Sequence, residues 1–524
     1  MTENTNITNI RKRPGRYAAP EPPSRWRFLW AGLGYLIMFL CLLCFFSAKW
    51  YADVYGNVGF DSILYSLTGG LGGAESGLVV SFLLRGLLPG LLTTAAVGLA
   101  LFLRPKKKWG IWPVPRGIAR SLAAGVTLLA LLGGALISGF PGYVMNLVKE
   151  SPIYEQRYVD PAQVQITFPQ EKRNLIYIFL ESMETAYFST EQGGAHETNL
   201  IPELYALAEQ NTNFSHNDGV GGFRSVGGTT WTIGAMVGQT GGVPLKTPDN
   251  LEDWQNGYGA EGEFLPGLTN LSDILHAEGY YQSLMVGSVA SFGGRKTYYS
   301  THGTDKIYEL RTAQTDGIVP ADYFEWWGIE DKYLFEYARQ ELTKISQQEQ
   351  PFAFTMLTVD THHIGGYRCS ECVDTYEEQY ANVMSCSSRQ VLQFVQWLQE
   401  QPFYDNTTVI IVGDHPSMDN GYFQRNVDPH YTRRVYNCFL NSAVSTQNTK
   451  NREFTCLDLF PTTLAAMGCT IEGERLGLGT NLFSGLPTLA ESMGFNSFNS
   501  QVSGNSEYYS RVFRREDPTQ EGAE

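Results

Sequence analysis

Residues 174–182 read Asn-Leu-Ile-Tyr-Ile-Phe-Leu-Glu-Ser: six consecutive apolar side chains closed by a carboxylate and a hydroxyl. A continuous apolar run of this length, without the alternation of a half-exposed strand, reads as a strand buried on both faces. The same design recurs twice. Phe352–Val359 stops at Asp360-Thr361-His362-His363, and Val409–Val412 stops at Gly413-Asp414-His415. Val391, Leu392, Val395 and Leu398, at i, i+1, i+4 and i+7, mark a helix between the second and third runs. Strands alternating with helices predict an α/β domain with a mainly parallel sheet. Ligands of such sheets bind beyond the carboxyl ends of the strands, where these three deliver Glu181, His362 and Asp414-His415.

Outward from this core the charge divides unevenly. Residues 1–150 hold 15 Lys and Arg against 6 Asp and Glu, and residues 151–524 hold 23 against 47, so balances of +9 and −24 make up the net −15. All eight histidines fall in the acidic part. An acidic domain argues against a nucleic-acid binder, which needs a basic footprint. A hydrophobic fraction of 43% with 54 Gly and 24 Pro excludes a coiled coil, a collagen-like chain and a wholly disordered one.

The basic part is mostly apolar runs. Phe28–Ala48 is uncharged over about 20 residues, enough to cross a bilayer; Leu87–Leu103 and Ser121–Phe140 are two further candidate spans. The first is longer than a signal-peptide core and lacks a clear small-residue cleavage site. Arg11, Lys12, Arg13, Arg16, Arg25 and Arg27 precede it, and Arg104, Lys106, Lys107, Lys108, Arg116 and Arg120 lie between the second and third. By the positive-inside rule both groups are cytoplasmic, so everything after about residue 141 is expected outside, the whole being a multi-pass cell-membrane protein. The expected organisation is a basic N-terminus over 1–27, a membrane region over 28–140, a linker arm over 141–172, one large domain over 173–490, and an Asn- and Ser-rich tail over 491–524.

Of eight cysteines, Cys41 and Cys44 fall in the first span, leaving Cys369, Cys372, Cys386, Cys438, Cys456 and Cys469 outside. An even number in an oxidising compartment predicts disulfides. Cys369-x-x-Cys372 is alternatively half a zinc site, although no second pair at zinc-finger spacing follows.

Gly227-Gly228-Thr229-Thr230-Trp231 opens an apolar helical run ending at Met236. Threonine at a helix start is either a plain N-cap or the floor of an anion site. Asp414-His415 offers oxygen and nitrogen ligands for a divalent ion, and Glu181 would add a carboxylate.

Together, the segments 174–182, Gly228-Thr229, 360–363 and 413–415, behind an N-terminal membrane region, resemble the lipoteichoic acid synthase and membrane phosphoglycerol transferase family of the alkaline phosphatase/sulfatase superfamily. The resemblance covers roughly residues 170–485, with its four motifs in the family's order. It implies a sulfatase-like extracytoplasmic domain in which Glu181, Thr229, Asp414 and His415 hold a metal ion, usually Mn²⁺, with Thr229 also the nucleophile. Thr230 is a rival, but the spacing from Thr229 to Met236 matches related phosphotransferases better. His362 resembles the histidine that holds the substrate phosphate, and Arg295 a phosphate-binding arginine, with Gly293 where the family carries an aromatic residue. His363 is either a second ligand or a structural histidine.

The chemistry is consistent with these roles. A threonine hydroxyl is a poor nucleophile until a metal lowers its pKa, and two carboxylates with one imidazole suit Mn²⁺, Mg²⁺ or Zn²⁺. The expectation is glycerophosphate transfer from phosphatidylglycerol to a polyglycerolphosphate chain or a glucan. The segments 360–363, Ser-Cys386-Ser and 476–479 lean toward the glucan branch. Alternatives are a sulfatase or phosphodiesterase, whose formylglycine motif C/S-x-P-x-R is absent, a phosphoethanolamine transferase, and a membrane-tethered binding module on a degenerate fold.

Overall fold

The computed structural model describes residues 25–56, 60, 63–64, 76–102, 116–246 and 262–515. The expected cytoplasmic cations Arg11–Arg16 and Arg104–Lys108 lie outside the described residues. The chain forms two compact units, one of residues 1–47 and 83–134, the other of residues 48–82 and 135–524.

Among the described residues, three helices are long and apolar enough to cross a membrane: Gly32–Tyr55, Leu78–Ala100 and Arg120–Ile137. The first lies within helix α1 (Arg25–Tyr55), which extends beyond the expected span by nearly two turns. In the first unit Met38, Leu42 and Ala130 make a small shared core, while Trp30, Leu92 and Leu129 stay exposed. Exposed aliphatic surface on this scale suits lipid rather than water.

The second unit is built on a seven-stranded sheet. In chain order its strands are β1 (Asn174–Leu180), β2 (Gly222–Phe223), β3 (Tyr281–Val286), β4 (Lys306–Tyr308), β5 (Phe352–Leu357), β6 (Thr407–Gly413) and β7 (Val435–Leu440). They lie in the order β2-β7-β6-β1-β5-β3-β4. The five strands β6, β1, β5, β3 and β4 are mutually parallel, and β7 and β2 close the other edge antiparallel.

The period of two in a strand explains the unbroken apolar run of β1. Leu175, Tyr177 and Phe179 enter the core on one face, and Ile176, Ile178 and Leu180 the core on the other. Each fully buried side chain of this size contributes roughly 1.5–3 kcal/mol. The helix read around Val391 is α4 (Gln379–Gln399), after α2 (Thr232–Gly241) and α3 (Asp331–Ile345). It buries Val391, Val395 and Leu398 against the second core, with Leu392 at the margin.

Both expected flanking segments are built into this unit. Residues 151–172 form a helical turn at Ile153–Arg157 and a short strand whose Ile166 pairs with Ile471, so the arm is part of the domain. The expected tail folds as helices Leu489–Met493 and Phe495–Ser503 and a π-turn Tyr509–Arg514. Phe498, Val502, Tyr509 and Phe513 are each at most 1% exposed. Polar composition masked the segment because its few apolar residues all face one side. Residues 516–524 lie outside the described residues.

The eight cysteines are free thiols, so the expected disulfides are not formed. Cys369, Cys372 and Cys386 meet in one cluster, while Cys438, Cys456 and Cys469 sit buried elsewhere.

Candidate functional site

Because β1, β5 and β6 are adjacent and parallel, their carboxyl ends emerge together. Asp414 N–H donates to Leu180 O at 3.1 Å, which registers the end of β6 against that of β1. Gly413 permits the approach: a Cβ there would fall 2.0 Å from Met183 O. The junction after β5 is tied in by Thr361, whose hydroxyl donates to Glu181 O at 2.6 Å, and by Thr358 Oγ1, which accepts from Glu181 N–H at 3.0 Å.

Glu181, Asp414 and His415 form one buried group, their ligand atoms within 4.8 Å of one another. His415 Nε2 lies 3.6 Å from Glu181 Oε1 and 3.3 Å from Asp414 Oδ2. Asp414 Oδ1 accepts from the backbone N–H of Ser182 (2.8 Å) and of His415 (2.7 Å). Asp414 Oδ2 is buried with no hydrogen-bond partner. On the other side of the ring, His415 Nδ1 lies 2.9 Å from Pro416 O. A carbonyl only accepts, so Nδ1 carries a proton and Nε2 faces the two carboxylates. Lone pairs converging around an orphaned carboxylate oxygen fit a divalent cation, and a ligand histidine anchored through its other nitrogen is the usual supporting arrangement.

The electrostatics carry the same signature. Burial, then the charge of Glu181, pushes the Asp414 carboxyl up to about 8. Burial also opposes ionisation of Glu181, but His362, His415 and the Ser182 hydroxyl outweigh it and hold that carboxyl below its ordinary value. Burial lowers the His415 pKa, yet Asp414 and Glu181 reverse this and raise it. Two carboxylates this close share negative charge that a cation would relieve.

The structure places the threonines differently from the expectation. Gly227 and Gly228 (φ +83°) form a tight turn, and Thr229 is wholly buried behind it. Its hydroxyl donates to Val226 O at 2.8 Å and accepts from Val226 N–H at 2.9 Å. Thr230 is half-buried. It is Thr232, the first residue of α2, that reaches the acidic group: its Oγ1 lies 3.3 Å from Glu181 Oε2 and 3.4 Å from His415 Nε2. The helix is steered there by Gln239, whose amide nitrogen donates to Gly413 O (3.1 Å) and Asp414 O (3.2 Å) while its oxygen accepts from Tyr177. Sequence inspection missed Thr232; its only signal was its place as the first hydroxyl inside the apolar helical run.

His362 is half-buried at the mouth of the site, with Nδ1 2.8 Å from His363 O and its ring 4.5 Å from that of Trp327. Burial lowers its pKa, Glu181 opposing and Arg295 assisting. Arg295 is held by Ser288 Oγ (2.9 Å) and by the carbonyls of Val289 and Phe292 (both 3.0 Å). Beside Gly293, the rings of Phe292 and Trp327 pack together at 5.4 Å. His363 stays out of the acidic group: it is buried between the rings of His362 (4.3 Å) and Tyr55 (5.3 Å).

Comparison with known proteins identifies the family. The sulfatase family model matches residues 173–469. Phosphoglycerol transferase I of Salmonella arizonae is 31% identical over 379 residues, covering 69% of this chain and 45% of that protein. Its Salmonella paratyphi B counterpart is 30% identical over 375 residues with the same coverage, so the chain spans less than half the length of these relatives. Among solved structures, lipoteichoic acid synthase LtaP from Listeria monocytogenes aligns with a TM-score of 0.47 at 17% identity, over 61% of this chain and 79% of that one. The phosphoethanolamine transferase EptA from Neisseria meningitidis aligns with a TM-score of 0.47 at 15% identity, over 83% and 84%. The chain belongs to the sulfatase family, within the alkaline phosphatase superfamily, as its motifs imply.

Proposed function

We propose that this chain is a membrane-anchored phosphotransferase that moves glycerophosphate from phosphatidylglycerol to an extracytoplasmic hydroxyl acceptor, with Thr232 in the nucleophile's place expected of Thr229. The observation that carries it is the Thr232 hydroxyl, half-buried at a helix N-terminus and within 3.4 Å of both Glu181 and His415. Similarity to phosphoglycerol transferase I supports glycerophosphate as the group moved. Residues 360–363, Ser-Cys386-Ser and 476–479 favour a glucan acceptor over a polyglycerolphosphate chain.

In the first half-reaction Thr232 Oγ1 attacks phosphorus, and the bond from phosphorus to the diacylglycerol oxygen breaks. The threonine proton leaves with diacylglycerol. His362 is suited to relay it: with Nδ1–H directed at the His363 carbonyl and its pKa lowered, Nε2 is a free base at neutral pH. In the second half an acceptor oxygen attacks the Thr232 phosphoester, the bond from phosphorus to Oγ1 breaks, and the acceptor's proton returns to Oγ1. Arg295, its fork oriented by three acceptors, offsets the phosphoryl charge. A divalent ion bound by Glu181, Asp414, His415 and Thr232 would lower the hydroxyl's pKa and screen that charge, with Mn²⁺, Mg²⁺ and Zn²⁺ all suited to the donor set.

The test uses the purified full chain in detergent with labelled phosphatidylglycerol, Mn²⁺ or a chelator, and candidate glucans. Diacylglycerol release and a label covalently trapped on Thr232 are expected. Release that persists in Thr232→Ala, or that ignores the chelator, would overturn the mechanism.

A further inference from the structure

A second potential metal group lies away from the proposed reaction centre. Cys369 and Cys372 sit on the loop that follows Asp360–His363, and Cys386 lies on helix α4. The Sγ atoms of all three lie within 4.8 Å of one another, and the residues are 4%, 8% and 2% exposed. Cys369 Sγ is 3.5 Å from Cys372 Sγ and 3.9 Å from Cys386 Sγ. Thiolates around a tetrahedral zinc ion, at about 2.3 Å from the metal, stand about 3.8 Å apart. The two separations bracket that edge, and both are far longer than the roughly 2.05 Å of a disulfide.

A polar side chain of α4 reaches two of the sulfurs. Gln390 Nε2 donates to Cys369 Sγ at 3.4 Å and to Cys386 Sγ at 3.6 Å. Lys332 Nζ donates to the hydroxyl of Ser370, inside the Cys369–Cys372 loop, at 2.9 Å. Arg389 sits in the same stretch of α4 as Cys386, hydrogen-bonded to Ser385 at 2.8 Å. Three thiolates around a divalent ion leave one net negative charge; Arg389 lies beside it, while Lys332 is also paired with Glu330 at 3.2 Å.

We infer that Cys369, Cys372 and Cys386 bind one soft divalent ion, Zn²⁺ by donor chemistry, distinct from the ion expected at Glu181, Asp414 and His415. The role is positional. The ion staples the 367–372 loop to α4, and Tyr367 N–H, donating to Asp360 O at 2.6 Å, carries that anchorage back to the turn that ends in His362. Burial and ligation together withhold the thiols from the oxidants expected outside the membrane. This inference does not depend on the reaction proposed above.

The test uses the full chain purified without reductant or chelator, its metal content measured, then exchanged with Co²⁺ and examined for thiolate-to-cobalt charge-transfer absorption. One equivalent of thiolate-bound cobalt, counted from that absorption and apart from any ion at Glu181, Asp414 and His415, is expected in wild type and in Glu181→Gln, and the absorption is expected to be absent from Cys372→Ser and Cys386→Ser. Should the serine variants not fold, alkylation of the native chain decides: the three thiols become reactive only after a chelator is added. A disulfide joining any two of them in a non-reduced peptide map, no charge-transfer band in Glu181→Gln, or alkylation indifferent to the chelator would each overturn the site.

Discussion

Thr232 Oγ1 lies 3.3 Å from Glu181 Oε2, whereas Thr229, three residues earlier, has its hydroxyl closed onto the backbone of Val226. Substitution should separate these roles. Thr232→Ala is expected to lower phosphatidylglycerol turnover by ~10³-fold or more. Thr229→Val is expected to cost about 1–2 kcal/mol of stability through its two lost hydrogen bonds and to leave turnover within about tenfold. Diacylglycerol release and thermal unfolding of the two variants check this; equal loss of turnover would place the nucleophile elsewhere.

The orphaned Asp414 Oδ2 predicts dependence on a cation. Asp414→Asn and Glu181→Gln should each weaken Mn²⁺ binding by more than ~100-fold, as removal of a direct ligand should exceed the effect of a supporting group. Calorimetric titration of the chelator-treated chain measures it, and unchanged affinity in both variants would remove these residues from the site.

Arg295 holds its orientation through three acceptors that a lysine ammonium cannot satisfy together. Arg295→Lys keeps the charge but is expected to lower kcat/KM for phosphatidylglycerol by about 10²-fold. Steady-state kinetics decide, and a change below about threefold would show that the arginine does not face the phosphoryl group.

Asp458 offers a pH test independent of the site. Burial, only partly offset by hydrogen bonds from Thr455 and Thr480, pushes its carboxyl up to about 6. A carboxyl raised by folding stabilises the native state fully below the unfolded value near 3.8, and that contribution is lost as pH rises through 6. The stability gap between wild type and Asp458→Asn should therefore shrink by about 3 kcal/mol between pH 3.5 and pH 7. Denaturant unfolding at the two pH values measures it; a gap that grows with pH would refute the assignment.

Phe498 is 1% exposed although it lies in an Asn- and Ser-rich stretch. Phe498→Ala should cost about 3–5 kcal/mol, where a solvated tail would show no change. Thermal unfolding of the full chain distinguishes the two.

The parallel α/β frame and the acidic group were legible along the chain, because both are local. An apolar run of strand length records burial on two faces, and the polar residues that stop it mark the strand's carboxyl end. Glu181, His362, Asp414 and His415 could thus be placed from three short segments. The helical segments over 495–514 were not legible, because a few apolar residues scattered through a polar stretch reveal a buried face only once a core is present to receive them.

The sheet, the strand ends that converge and the residue types available there all follow from local runs of the chain. Which threonine meets the carboxylates was decided by tertiary structure. Thr229, Thr230 and Thr232 are chemically alike, and their directions differ by the backbone path through the Gly227-Gly228 turn into α2. That path is set by Gln239 bonding across to the end of β6, more than 170 residues away. The thiols followed the same rule: a strand end can be read locally, but the meeting of Cys386 with Cys369 depends on how helix α4 packs.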